Sequence, residues 1–253
     1  RKRSSSIKAN HSIDIVHKYY TPENIVISVA GNVSENIFRQ IEAHFGHYIS
    51  RYSKPSVNAP VFHKKVITDK KNTEQAHLCL GFPGIPYGDD DIYDLVLLNN
   101  ILGGSMSSRL FQQIREEKGL AYSVFSHHSS FKDSGLVTIY GGTAPDQLDF
   151  LLEAIFATLE QLSKEGITED ELHNSKEQLK GNLMLSLEST SSRMSRNGKN
   201  ILLLGRIRSL DEMTDLIDSV TQEGVNQLAE RIFTEQFSGA LISPKGVLPS
   251  MLM

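Results

Sequence analysis

The hydrophobic pattern of this chain becomes predominantly helical from Pro145 onward, and that change is the strongest constraint on its fold. Before it, short apolar runs alternate with turn residues, and in residues 76–82 every second side chain is apolar, as in a half-buried strand. After it, apolar residues recur at helical spacing, and Thr168 with Glu171 is spaced as a helix-capping box. Hairpin strands followed by helices predict an α+β fold with helices packed on one face of a largely antiparallel sheet.

A segment with the composition of a linker, residues 51–60, divides the chain. Before it, residues 1–50 contain one β-branched apolar run, residues 25–30, which predicts a strand covered on both faces. Because a strand needs neighbours, we expect residues 1–50 to be the end of a preceding domain or to be covered by a partner chain. Residues 61–253 are predicted to form a second domain that binds substrate.

Composition excludes several classes of protein. The 26 Lys and Arg residues against 30 Asp and Glu give a net charge of -4, which argues against a nucleic-acid partner. No apolar run approaches the ~20 residues that cross a bilayer, so no membrane contact is expected. The single cysteine, Cys79, excludes an intrachain disulfide and a thiolate zinc site. A lone cysteine and the lack of a secretion signal favour the cytoplasm.

Histidine pairs are the candidates for metal binding. His44 and His47 lie three residues apart on one predicted helix, and His173 and Glu177 lie four apart on another. Neither pair has an identifiable third ligand, and no H-x-x-E-H or H-E-x-x-H motif occurs. Solvated helix faces are therefore the favoured interpretation, and this chain alone is expected to bind no metal.

A long segment carries a family resemblance. Residues Gly103 to Val124 read GGSMSSRLFQQIREEKGLAYSV, and Ser130 to Asp146 read SFKDSGLVTIYGGTAPD. Together they resemble the second domain of the insulinase-like (pitrilysin) zinc metallopeptidases, in the branch that contains the processing peptidases. The segment from Tyr19 to Val33, YYTPENIVISVAGNV, is similar to the last strand of that family's first domain.

The resemblance implies that zinc is held outside this chain. In the family, an H-x-x-E-H helix and a later glutamate of the first domain bind the metal. Because this sequence lacks the motif, the resemblance implies the later part of a longer zinc metalloendopeptidase, inactive by itself. It further implies a closed chamber for peptide substrates, built by a homodimer or by two pseudo-symmetric halves.

Two residues are predicted to contact substrate. The resemblance implies that Arg115 and Tyr122 are presented to the peptide backbone beside the zinc. A guanidinium and a phenol are hydrogen-bond donors suited to a peptide carbonyl and to the oxyanion that forms from it. Spacing alone favours a different interpretation, in which Arg115 pairs with Glu116 or Glu117 and Tyr122 is half-buried in the sheet.

Four further residues are expected either to support the structure or to line the chamber: Gly103, Gly104, Ser107 and Arg109. Two other functions remain open. One is a non-catalytic partner or scaffold subunit with the same fold, like the core subunits of a respiratory complex. The other is an unrelated α+β module that binds peptides.

Overall fold

The computed structural model describes residues 9–47, 58–233 and 236–252, and these fall into two compact units. The first unit contains residues up to 58 together with 183–208, and the second contains 59–182 and the residues from 209 onward. Most of the predicted linker, residues 51–57, lies outside the described residues. The division into domains 1–50 and 61–253 stays a prediction. That prediction did not include the grouping of residues 183–208 with the first unit.

The second unit is built on a five-stranded sheet with the order β1-β5-β2-β4-β3. The strands are β1 (Val66–Lys70), β2 (Ala76–Gly84), β3 (Ser123–Ser130), β4 (Gly135–Thr143) and β5 (Ser238–Ser243). Strand β5 is parallel to β1, and the other neighbouring pairs are antiparallel. The predicted largely antiparallel α+β fold is therefore confirmed.

Alternation along β2 separates the two faces of this sheet. Ala76, Leu78 and Leu80 are fully buried, and they join one core with leucine and isoleucine side chains of the helices. The intervening residues His77 and Cys79 are only partly covered. Burying one such aliphatic side chain contributes roughly 1.5–3 kcal/mol, so the helix-covered face fixes the register of the sheet. The opposite face is called the open face below.

Among the described residues, five α-helices lie wholly or mostly in the second unit. They are α3 (Ile92–Asn99), α4 (Leu148–Glu165), α5 (Glu169–Ser186), α7 (Leu210–Ser219) and α8 (Gln222–Phe233). Helix α4 ends at Gly166, whose φ of 73° suits a residue without a side chain. Helix α5 then starts with the predicted capping box, in which Thr168 N–H donates to Glu171 and Glu171 N–H donates to Thr168 Oγ1. A short 3₁₀ turn, Ser250–Leu252, closes the described chain.

The described part of the first unit contains α1 (Ala9–Tyr19), a 3₁₀ turn (Pro22–Asn24), α2 (Asn36–Phe45) and α6 (Thr190–Leu204). The strand predicted at residues 25–30 is wrong in this structure, because that segment forms no strand and Ile27 and Val29 are each 41% exposed. The segment begins in extended backbone at Ile25, but the described residues of this unit offer it no second strand for pairing. Among the helices described in both units, none is long and apolar enough to cross a bilayer.

Candidate functional site

Two π-helical segments precede β3, and the predicted site residues lie in them or close to them. The first, π1 (Asn100–Gly104), continues directly from α3, and the second is π2 (Phe111–Glu117). π-Helical turns are rare in proteins overall, but those that occur often lie at functional sites. All six predicted site residues lie in these segments or within five residues of π2.

A tight reversal joins π2 to β3. Gly119 adopts a φ of 61°, and the backbone N–H of Leu120 donates to the carbonyl of Ile114 over 3.0 Å. The next bond is from the N–H of Tyr122 to the carbonyl of Gly142 on β4, 2.9 Å away. Arg115 directly follows Ile114 in this arrangement. Backbone hydrogen bonds therefore hold Arg115 and Tyr122 on either side of one turn.

The guanidinium of Arg115 is weakly engaged. Its Cζ lies 4.9 Å from the centroid of the Phe111 ring, and its Nε lies 3.8 Å from a carboxylate oxygen of Glu116. That separation exceeds a hydrogen bond, and an ion pair between groups about half exposed contributes little. Within the part of the chain that the structure describes, the guanidinium donates no hydrogen bond, so its donors are available to another molecule.

The side chain of Tyr122 is 64% exposed, which contradicts the interpretation that it is half-buried in the sheet. Its hydroxyl has no hydrogen-bond partner among residues 9–47, 58–233 and 236–252. No hydrogen bond or cation–π contact joins Tyr122 to Arg115 in that same set. The structure thus brings two available donors to one turn without pairing them to each other.

Gly103 and Gly104 permit close packing at the end of π1. A Cβ atom at Gly103 would overlap the backbone nitrogen of Ser126 on β3 and lie 2.8 Å from its Oγ. At Gly104 a Cβ would lie 3.0 Å from the carbonyl oxygen of Asn99. Gly103 is buried and Gly104 is exposed. These contacts support the structural role expected for both residues, and a role in lining a chamber stays a prediction.

Arg109 is held by two partners. Its Nη2 donates to the carbonyl of Gly166 and to a carboxylate oxygen of Glu171, each over 2.7 Å, and its Nε donates to the other oxygen of Glu171. Burial raises the pKa of Glu171, but the hydrogen bonds from Arg109 and Thr168 and the charge of Arg109 outweigh it and hold that pKa below its ordinary value. Arg109, two residues before π2, is therefore linked to Gly166 and to the start of α5. These contacts support the structural alternative, and a role in lining a chamber stays a prediction.

Ser107 lines a cavity of about 150 Å³ between π1 and α5. Its Oγ lies 3.1 Å from the Oγ of Ser105, and at the back of the cavity the buried amide of Asn100 donates to Ser175 and Gln178. The sequence analysis missed this network. No spacing rule connects Asn100 to residues 75 and 78 positions later, so a local pattern held no signal for it.

A second feature that the sequence analysis missed is a ring cluster on the open face. The Nδ1 of His77 and the hydroxyl of Tyr140 share a hydrogen bond of 2.8 Å, and the rings of Phe125 and Tyr140 have centroids 5.1 Å apart. Burial, followed by the charge of Cys79, raises the pKa of the Tyr140 phenol. These side chains occupy alternate positions of β2, β3 and β4, on the face opposite the core. This alternation was the sequence signal that could have identified the cluster.

The described residues do not fit a zinc ion. Across 9–47, 58–233 and 236–252, no three His, Cys, Asp or Glu side chains are grouped as metal ligands. His127 and His128 stack with ring centroids 6.0 Å apart, without a third donor of that kind beside them. No chemical step of this chain is therefore assigned to a metal.

The fold and the segment around π2 define a peptidase-like α+β domain. Residues 6–179 match the sequence profile described as the peptidase M16 inactive domain. Since this match covers more than half of the chain, the chain belongs to the peptidase M16 family, the insulinase-like family that its sequence resembles.

Bacterial relatives carry names that agree. The chain is 57% identical, over 93% of its length, to "Uncharacterized zinc protease YmxG" of Bacillus subtilis. It is 37% identical, over 90% of its length, to "Uncharacterized zinc protease SCO5738" of Streptomyces coelicolor. The matches span 58% and 51% of those two proteins, so the chain corresponds to little more than half of each.

Solved structures show the same fold. A protease from Helicobacter pylori superposes with a TM-score of 0.84 at 22% identity, covering 95% of this chain and 60% of that one. A chain of complex III2 from Candida albicans superposes with a TM-score of 0.81 at 20% identity, again covering 95% and 60%. At such identities the likeness establishes the fold alone.

Proposed function

We propose that this chain is the substrate-binding part of a zinc metalloendopeptidase, in which Arg115 and Tyr122 donate hydrogen bonds to the backbone of a bound peptide. The observation that carries the proposal is that Arg115 and Tyr122 are exposed on the two sides of the Gly119 turn and donate no side-chain hydrogen bond within the described residues. Family membership and the names of the relatives support the reaction class.

The geometry suits stabilisation of a developing oxyanion. The backbone bonds of Leu120 and Tyr122 fix the main chain of the turn, so the two donors start from fixed positions on either side of it. Removing one donor of this kind lowers turnover by roughly 10²–10³-fold in other enzymes. Arg115 supplies a permanent positive charge and Tyr122 a neutral donor, so together they favour a negative oxygen over a neutral carbonyl.

An unpaired strand edge supports binding of an extended peptide. Strand β3 is the last strand of the sheet, so one side of it has no strand partner among the described residues. Tyr122 directly precedes β3. A peptide added to this edge gains main-chain hydrogen bonds and passes the Tyr122 hydroxyl.

The proposed zinc site lies in the portion of the longer relatives that this chain does not match. A zinc ion held there would supply Lewis-acid chemistry for the scissile carbonyl and for an attacking water molecule. The proposed assembly is a homodimer or a pair of pseudo-symmetric halves that encloses the peptide, located in the cytoplasm. Sedimentation of the complete protein tests the dimer, and a monomer that retains full activity contradicts it.

A second candidate function is a non-catalytic partner or scaffold subunit. The matching profile is described as an inactive domain, and a complex III2 chain has the same fold. The two functions differ in the remainder of the protein, where an intact H-x-x-E-H motif with a later glutamate supports the enzyme. Metal analysis of the complete protein then decides between them, because the enzyme requires stoichiometric zinc and the scaffold does not.

Variants of the complete protein test the donor pair. We expect Arg115→Ala and Tyr122→Phe each to lower kcat for a quenched peptide by about 10²-fold, with an unchanged melting temperature. Matched controls are Arg231→Ala, which removes an arginine of similar exposure, and Tyr20→Phe, which alters a tyrosine that is 58% exposed. Equal losses of stability and activity in the first two variants, or wild-type rates in both, contradict the proposal.

A further inference from the structure

We infer that His77, Phe125 and Tyr140 form a subsite on the open face that accepts an aromatic side chain of the peptide. The inference rests on the proposed function and names a determinant of its substrate preference. It starts from three rings that the strand register places side by side on the face opposite the helix-covered core.

The register of three strands creates the cluster. Tyr140 of β4 lies directly opposite Phe125 of β3 and opposite Cys79 of β2. His77 lies diagonally from Tyr140, because it is paired with Gly142. Diagonal neighbours on one face of a sheet are within reach of aromatic side chains, and here the result is the 2.8 Å hydrogen bond between His77 and Tyr140.

The absence of a side chain at Gly142 sets the position of the Tyr140 ring. A Cβ atom at Gly142 would lie 2.9 Å from the Tyr140 hydroxyl and 3.1 Å from Oε1 of Gln75. The phenol therefore occupies the space above Gly142, where the hydrogen bond to His77 holds it. Such a fixed ring offers a stacking surface at a small loss of side-chain entropy.

The cluster adjoins the proposed donor pair. Gly142 lies next to both groups. Its carbonyl accepts the hydrogen bond from the N–H of Tyr122, and the Tyr140 phenol occupies the space where a Gly142 side chain would be. A peptide that reaches the Tyr122 hydroxyl thus passes close to the cluster. Phe125 remains 44% exposed, which leaves ring surface for a ligand to cover.

The strands that carry the cluster favour an aromatic side chain over a cationic one, while the carboxylate of Asp69 lies on the same face of β1, two strands away from His77. None of the open-face positions of β2, β3 and β4 holds Asp or Glu, so a lysine or arginine of the peptide finds no counter-charge on these strands. Offset or edge-to-face packing against Phe125 and Tyr140 instead suits another ring. The hydrogen bond already formed between His77 and Tyr140 leaves the cluster less polar.

The experiment uses the complete protein and a set of short quenched peptides in which one alanine at a time is replaced by phenylalanine. We expect one position at which phenylalanine raises kcat/KM about 10-fold over alanine. In Phe125→Ala the preference at that position falls to about 2-fold or less. In Gly142→Ala, which displaces the Tyr140 phenol without removing a ring, the preference also falls.

Gly81→Ala is the matched control. It adds the same methyl group on the open face of β2, but its Cβ meets no atom closer than 3.6 Å, so the phenylalanine preference should stay at the wild-type value. A wild-type preference in both Phe125→Ala and Gly142→Ala, with peptides still cleaved, overturns the subsite and leaves the proposed function standing. Failure of the zinc-loaded wild-type protein to cleave any peptide overturns both.

Discussion

The guanidinium of Arg109 and the carboxylate of Glu171 meet in two parallel hydrogen bonds, each 2.7 Å long. Arg109 is also bonded to the carbonyl of Gly166, so one side chain ties π2 to the junction between α4 and α5. Because π2 carries Arg115, this junction supports the element that presents a proposed donor. The bidentate geometry matches a planar guanidinium and cannot be reproduced by a lysine ammonium.

Arg109→Lys is therefore expected to destabilise the protein by about 2 kcal/mol, because Glu171 and the carbonyl of Gly166 lose hydrogen bonds in a mostly buried place. Urea unfolding measures this loss. Lys164→Ala, which removes the exposed Lys164–Glu160 ion pair, is the control and should unfold at the wild-type midpoint. Equal midpoints for all three proteins contradict a structural role for Arg109.

The same pair predicts a pH dependence. The pKa of Glu171 is lowered in the folded state, so the pair contributes its stability above the ordinary pKa of 4.5 and loses it as the pH falls through the lowered value. The difference in unfolding free energy between wild type and Arg109→Lys should accordingly shrink as the pH falls below 4.5. A difference that grows in acid contradicts this assignment.

Gly103→Ala tests the contact between π1 and β3. The added methyl group would overlap the backbone nitrogen of Ser126, which cannot rotate away, so we expect a loss of about 2 kcal/mol. Gly181→Ala in α5 is the matched control, because its Cβ meets nothing within 4 Å and a helical alanine gains about 0.5–1 kcal/mol over glycine. Thermal unfolding compares the two, and equal shifts contradict the packing role of Gly103.

Asp94 on α3 is expected to reduce stability as the pH rises. Burial, followed by the carboxylate of Asp91, raises the pKa of Asp94 from 3.8 to about 6, although Lys176 partly opposes the change. Between about pH 4 and pH 6 the folded state thus retains a proton that the unfolded state releases, so stability falls with rising pH. Partial exposure screens the effect, which we expect to be about 1 kcal/mol.

Asp94→Asn should remove that decrease. Its unfolding free energy, measured by urea titration from pH 4 to pH 7, should vary less than that of wild type, and Asp133→Asn in the exposed β3–β4 turn serves as the control. A variant that is more dependent on pH than wild type in this window contradicts the account.

The sequence pattern predicted those parts of the fold that are determined by residues close together in the sequence. The alternation of Leu78 and Leu80 identified the core face of β2, and the Thr168–Glu171 spacing identified the start of α5. Both signals arise within a few residues, where the period of side chains or the reach of one hydrogen bond decides the structure. The strand predicted from the composition of residues 25–30 was wrong, because an apolar extended segment forms a strand only when a partner strand is present.

Long-range pairing lay outside the reach of those patterns. Strand β5 enters the sheet between β1 and β2, although some 170 residues separate it from β1. The cluster around Tyr140 likewise depends on which residues of β2 and β3 face it across the sheet. The positions of Arg115 and Tyr122 as site residues came from the family resemblance, and the structure adds that both side chains are exposed.

A double-mutant cycle on the zinc-loaded complete protein tests the central claim most directly. If Arg115 and Tyr122 donate to the same peptide carbonyl, Arg115→Ala combined with Tyr122→Phe should lower kcat/KM little more than the worse single variant, because either loss already disrupts the shared interaction. Strictly additive losses, or single variants that cleave peptides at the wild-type rate, would contradict a joint role for the two donors.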